Sequence, residues 1–182
     1  MNVCACYLRT LCTRGHTLLE QLNDIISAAT AAISHQYFQL PILGGPPVWR
    51  ERVYCYELYH QMRIRWPEDC PLILTGEVDK RAHPIFDWLE ARQAIPDLLI
   101  HAPGNMAQNF AVIEVKSQQA TMAGIRKDVA TLQEFLEKIG YNRAMCMVFG
   151  PNLPAGFERV PEHIELWHHR EVGTPATLIN RG

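Results

Sequence analysis

Apolar positions along the chain follow two rhythms: spacings of three and four residues, which mark one face of a helix, and short unbroken runs, which mark buried strands. Leu18, Leu22, Ile25, Ile26, Ala29 and Ile33 keep the first rhythm and predict a helix over roughly residues 18–34. Its start carries Thr17-Leu18-Leu19-Glu20, a capping box in which the Thr17 side chain accepts from the Glu20 N–H and Glu20 reaches back. Tyr37 to Ile42 reads as a short strand or an extended entry, and Leu43-Gly44-Gly45-Pro46-Pro47 as a breaker. A second helix is predicted from about Trp49 to Arg65, ending before Pro67. Its inward stripe is read as Val53, Glu57, His60 and Ile64, which sets a carboxylate among core-facing residues. Leu72–Val78, Leu98–Ile100 and Phe110–Val115 read as strands, the last two joined by a turn with Pro103, Gly104 and Asn105. A third helix follows on the stripe Ile125, Val129, Leu132, Leu136 and Ile139, with Gly140 as its C-terminal cap. Met145–Phe149 reads as a buried strand and Ile164–His168 as a further one.

This order of helix, strand, hairpin, helix and strand predicts an α/β or α+β fold with a mixed central sheet flanked by helices. The breaker divides the chain into an N-terminal helical extension, residues 1–48, packed on or preceding a main domain of residues 49–182. With 48% of its 182 residues hydrophobic and 20% charged, the chain carries enough apolar surface for a packed core. No apolar run reaches the length of about 18 residues that a membrane span needs. Met1 to Cys12 lacks the charged-then-apolar order of a secretion signal. A cytoplasmic protein without membrane contact is expected, and in that compartment the six cysteines are expected as free, mostly buried thiols. Cys4, Cys6 and Cys12 with His16 do not have the spacing of a structural zinc site.

The candidate chemistry concentrates on the hairpin. If its centre falls between Asn105 and Met106, Leu99 lies opposite Val112 and Asp97 opposite Glu114. Opposed residues of an antiparallel pair have Cβ atoms about 4.5–5.5 Å apart, so two carboxylates placed there repel unless a cation lies between them. Strand alternation points Glu114 and Lys116 to one face, and Ile113 and Val115 to the other, where a helix can cover them. Two acids and a lysine in apolar strands cost stability unless they are paired or bind metal. Carboxylates with a backbone carbonyl, here that of Val115, are hard oxygen ligands suited to Mg²⁺. Such an ion polarises a phosphoryl oxygen and helps to generate hydroxide. Lys116 would orient or deprotonate the attacking water, or stabilise developing negative charge.

Pro96-Asp97 followed by Glu114-Val115-Lys116 resembles the PD-(D/E)xK motif of restriction-endonuclease-like nucleases. The resemblance covers roughly residues 49–150 and extends to the helix after Lys116 and to the helix before the motif, whose Glu57 resembles an additional acid delivered by many members. It implies a restriction-endonuclease-like core and phosphodiester hydrolysis, most often of DNA, with Mg²⁺ or Mn²⁺. Asp97, Glu114, Lys116 and Glu57 would be catalytic, and Asp97, Glu114 and Val115 would bind the metal. Small members often act in restriction, repair, recombination or defence against mobile elements.

Other residues are weaker candidates. Glu77 is a rival third acid, and a pairing of Glu57 with Arg63 or Arg52 would account for it without catalysis. Gln118 shares the Lys116 face if the strand continues, His60 lies one helical turn from Glu57, and Arg126 and Lys127 could grip phosphates. His168 and His169 point to opposite faces and are expected as surface or packing residues, and Tyr56 and Tyr59 as core. The formal net charge of −2 sets a limit, because phosphate contacts draw on Lys and Arg. A basic surface must be local or come from a homodimer or a partner protein. The alternatives are a non-catalytic interaction module on the same fold and an RNA-cleaving, toxin-like nuclease.

Overall fold

The computed structural model describes residues 18–76 and 95–180. Thr17 of the capping box, Cys4, Cys6, Cys12, His16 and Glu77 lie outside the described residues. The first helix, α1 (Leu18–Ala31), ends earlier than its apolar rhythm. The chain then tightens into three-residue bonds, Ala32 N–H to Ala29 O and Ile33 N–H to Thr30 O, which keep Ile33 buried outside the helix. One further turn, α2 (His35–Phe38), follows. The breaker turns out to be a hairpin. Strands β1 (Leu40–Ile42) and β2 (Gly45–Val48) pair antiparallel around Leu43-Gly44, and Gly44 takes φ +75°. Both strands form a separate two-stranded ribbon, where prolines are tolerated.

Helix α3 (Glu51–Arg63) buries Tyr54, Cys55, Leu58 and Met62. The expected stripe of Val53, Glu57, His60 and Ile64 is therefore corrected. His60 and Ile64 are exposed, and Val53 and Glu57 are on the flanks. The reason is Tyr54, whose ring stacks on Phe149 at 4.0 Å and whose hydroxyl pairs with His169 Nδ1 at 2.8 Å. With its polar tip satisfied, a tyrosine can sit at the centre of a core, and the inward face rotates onto it. Tyr56, expected in the core, is exposed, whereas Tyr59 packs against the core edge.

Six strands form one mixed sheet in chain order: β3 (Ile73–Gly76), β4 (Leu98–Ala102), β5 (Asn105–Ser117), β6 (Arg143–Phe149), β7 (Glu165–His169) and β8 (Thr177–Asn180). The β3–β4, β4–β5 and β7–β8 pairs are antiparallel, and β5–β6 and β6–β7 are parallel. Helix α4 (Met122–Glu137) makes the β5–β6 crossover that a parallel pair requires. The fold is thus mixed α/β, a central mixed sheet flanked by helices. One face packs Ile113, Val115, Met145, Met147 and Phe149 against α1 and α3. The other packs Val112, Cys146 and Val148 against Ile125, Leu132 and Phe135 of α4. Leu22, Ile26 and Ile33 share the first core with Leu58 and Met62, so the described part of residues 1–48 is packed into the same core as the sheet.

Near the amino end of β6, Arg143 donates two bonds to the Glu165 carboxylate (2.6 and 2.7 Å) and one to Asn23 Oδ1 (2.7 Å), joining α1 to the sheet. Among the described residues no helix is long and apolar enough to cross a membrane.

Candidate active site

The β4–β5 register decides where the acids meet. Leu98 pairs with Ile113, Leu99 with Val112 and Ile100 with Ala111, so Asp97 and Glu114 are next in line. This is the expected register, reached by a different route. The turn lies at Pro103-Gly104, between the paired Ala102 and Asn105, and register shifts on either side of His101 absorb the extra residues of β5. Bulges of this kind bend a strand and re-aim its side chains.

Asp97 Oδ2 accepts the Val115 N–H at 2.7 Å. That bond holds Asp97 against β5, where its carboxyl group interacts with that of Glu114. Glu114 is buried. Burial raises its pKa well above the ordinary carboxyl value, and the Asp97 and Asp128 charges push it further. Burial also raises Asp97, against the opposing pull of the Val115 N–H and of Lys116. Two carboxyl groups this close do not both ionise easily without a cation.

Lys116 shares the Glu114 face, and its Nζ lies 2.8 Å from Asp128 Oδ2 and 3.3 Å from Glu51 Oε2. Burial alone would lower its pKa, but Asp128, Glu51 and Glu114 outweigh that and raise it, so Lys116 is an ammonium across the physiological range. Asp128 is itself raised, by burial first, with Lys116 opposing. The four carboxyl groups and one ammonium sum to −3 when all are ionised.

Glu51 and Asp128 are not among the candidates read from the sequence. Glu51 opens α3, and its carboxylate accepts from the Ser117 N–H (3.1 Å) and Ser117 Oγ (3.3 Å) as well as holding Lys116. The signal for Glu51 was its position in the first turn of a helix entering beside the strand end. Asp128 had a clearer one, an acid on the apolar stripe of α4, three residues from Ile125 and four from Leu132. Glu57 is not part of this group. It accepts from Gln61 Nε2 at 2.7 Å, and Gln61 in turn accepts from Arg65, forming a polar row along the flank of α3. His60 is exposed on the same helix.

Gln118 is a brace. Its Oε1 accepts the Asn152 N–H at 3.3 Å, and its side chain packs under Gly150. Arg126 and Lys127 are exposed on α4, beside Asp128. His168 and His169 are both buried and pack on opposite faces, as neutral rings. His168 Nε2 donates to Gly150 O (2.8 Å), and His169 Nε2 donates to Glu171 O (2.9 Å), which leaves His169 Nδ1 to accept from Tyr54. Cys55 and Cys146 are buried and Cys70 half-buried, and none of the three is in a disulfide. Cys146, register partner of Glu114, is held protonated by burial.

Among the described residues, no group of three or more His, Cys, Asp or Glu side chains is placed to hold a metal ion. The Lys116 ammonium fills the space between Glu51 and Asp128, and the acids left to a cation are the Asp97–Glu114 pair. Comparison with protein-family models, with curated proteins and with solved structures finds no match to this chain.

Proposed function

We propose that this chain is a metal-dependent nuclease of the restriction-endonuclease-like kind, hydrolysing phosphodiester bonds, with DNA as its substrate. The observation that carries the reading is the pairing of buried Glu114 on β5 with half-buried Asp97 at the entry to the adjacent β4, with Lys116 next on the Glu114 face. A purely structural core gains nothing from such a cluster, since its charges must be neutralised or desolvated at a cost.

The residues fit Mg²⁺ or Mn²⁺. Mg²⁺ takes one or two carboxylates from a protein and leaves its other positions to water and substrate phosphate. Asp97 and Glu114 are those carboxylates. In an extended strand the N–H and C=O of one residue face the same side, so the Val115 carbonyl, like its N–H, faces Asp97 and adds a main-chain oxygen. Such an ion, when bound, supplies Lewis acidity at the phosphoryl oxygen and a more acidic water.

The chain's own residues do the remainder. Lys116, kept protonated, acts as a fixed cation that stabilises the charge developing on phosphate, rather than as a base. Asp128 holds Lys116 from the α4 side, and Glu51 holds it from α3. Glu51, with 38% of its side chain exposed, is the acid open to solvent and placed to take the proton of an attacking water. Arg50, just ahead of α3, and Arg126 and Lys127 on α4 are all exposed and provide local positive charge for the phosphate backbone.

The test is cleavage of linear, circular and single-stranded DNA and matched RNA, with Mg²⁺, Mn²⁺ or chelator, alongside Asp97→Ala and Lys116→Ala. Metal-dependent cleavage lost in both variants is the expected result. Cleavage surviving in both would place the activity elsewhere, and preferential cleavage of RNA would change the substrate class.

A further inference from the structure

Near the carboxyl ends of β6 and β7, a cleft of about 850 Å³ opens, within the ~300–1,000 Å³ usual for ligand sites. Its apolar wall includes Trp49, Phe38 and Pro151, and its polar side includes His35, Arg170 and Glu171. Two routes connect it to the acid cluster. Trp49 packs on Phe149 with ring centroids 5.8 Å apart, and Phe149 is the register partner of Ser117, whose N–H holds Glu51. Pro151 follows Gly150, which packs on Gln118, two residues beyond Lys116. β7 lies two strands from β5, a lateral distance of about 10 Å.

The lining has a definite chemistry. Trp49 is half-buried and offers an aromatic surface to the cleft. Arg170 is exposed and makes no ion pair among the described residues. Glu171 uses its carbonyl oxygen to accept from His169 and Thr174, which fixes the backbone beside Arg170. An aromatic surface and an unpaired guanidinium in a concave site suit a base and a phosphate. A recess of this size receives a splayed nucleotide rather than a stacked duplex.

We propose that this cleft is a subsite for a single-stranded nucleic-acid segment flanking the scissile phosphate, with a base against Trp49 and a phosphate on Arg170. The proposal rests on the nuclease reading for its role, and on the cleft's own chemistry for its ligand.

The test is fluorescence anisotropy with a labelled oligothymidine of about 12 nucleotides, within the footprint of single-strand binders, and a blunt duplex of equal length, in chelator. The full chain is compared with Arg170→Gln and Trp49→Ala. Oligothymidine should bind more tightly than duplex. Arg170→Gln should weaken it roughly 5- to 10-fold and reduce the slope of log affinity against log salt by about 0.7, one phosphate contact on a single strand. Trp49→Ala should weaken it roughly 5- to 100-fold. Because Trp49 also packs in the core, Arg170→Gln decides the matter if the alanine variant unfolds. Oligothymidine binding equal in parent and Arg170→Gln, or no binding by the parent, overturns the cleft. Metal-dependent cleavage with an unchanged KM for oligothymidine in Arg170→Gln overturns the cleft while the nuclease stands. Binding lost in Arg170→Gln with no cleavage by the parent supports the cleft while the nuclease falls.

Discussion

At Glu114 a proton and the proposed cation compete for the carboxylate oxygens. Its pKa is raised in the folded chain by burial, Asp97 and Asp128. The folded state therefore holds that proton more tightly than the unfolded one. The stabilisation is complete below the ordinary carboxyl range and is lost as pH rises through the raised value. Glu114→Gln removes this loss. At pH 7 without metal it should raise the midpoint temperature, by roughly 2–4 °C for each kcal/mol regained, and at pH 4 it should change little. Scanning calorimetry at both pH values checks this, and an equal effect at both would mean Glu114 does not titrate as argued. Mg²⁺ should stabilise the parent and not the variant. His169 works in the opposite sense. Burial lowers its pKa to about 4, so its contribution is complete above the ordinary histidine range and is lost as pH falls through that value. Parent and variant both carry His169, so their difference isolates the acid. Glu51 and Glu57 provide a second residue-scale contrast. Glu51→Gln should lower the cleavage rate by about 10²-fold or more, the usual loss on removing a general base. Glu57→Gln should stay within about twofold in rate and change stability by about 0.5 kcal/mol or less, as for surface substitutions.

One helix reaches the site by its end and the other by its side. α3 contributes its first residue and α4 the side chain of Asp128, both to a lysine at the carboxyl end of β5. The loop leaving β6 is fastened to the same place. Gly150 has φ +117°, and a Cβ there would come within 2.8 Å of Gln118 Cβ. Gly150→Ala should therefore cost roughly 1–3 kcal/mol, the scale of a strained backbone position, read as a shift in the urea midpoint with an unchanged m-value. An alanine tolerated without cost would mean that the Gln118 brace moves freely. The stripes of α1 and α4 were legible because apolar spacing reports directly on a buried helix face. That of α3 was displaced, because a tyrosine in the core reads as amphipathic until its hydroxyl has a partner. β1 falls within Tyr37–Ile42, read as a short strand or an extended entry, whereas β2 and β8 were missed because strands of four residues are too short to show an alternation.

Across the whole molecule, the far end of the sheet from the acids is locked by Arg143 and Glu165, with side chains 7% and 13% exposed. Removing one partner of such a buried pair leaves the other charge unmatched. Arg143→Leu should cost about 3–5 kcal/mol without altering the cleavage rate of the molecules that remain folded, measured by active-site titration. A loss of rate in the folded fraction would mean that the two ends of the sheet are coupled. The sequence by itself determined the local part of the site: Asp97 opposite Glu114, and Glu114 with Lys116 on one face. Strand alternation and hairpin pairing are properties of neighbouring residues, and the bulges around His101 happened to restore the expected register. Only the tertiary structure decided which other groups complete it. Glu51 is 65 residues from Lys116 and Asp128 lies on the helix of a crossover connection. No periodicity reports which helix end, or which residue on a buried stripe, packs against a given strand terminus. That choice follows from how α3 and α4 close the two cores on either side of β5, where burial gathers four acids around one ammonium.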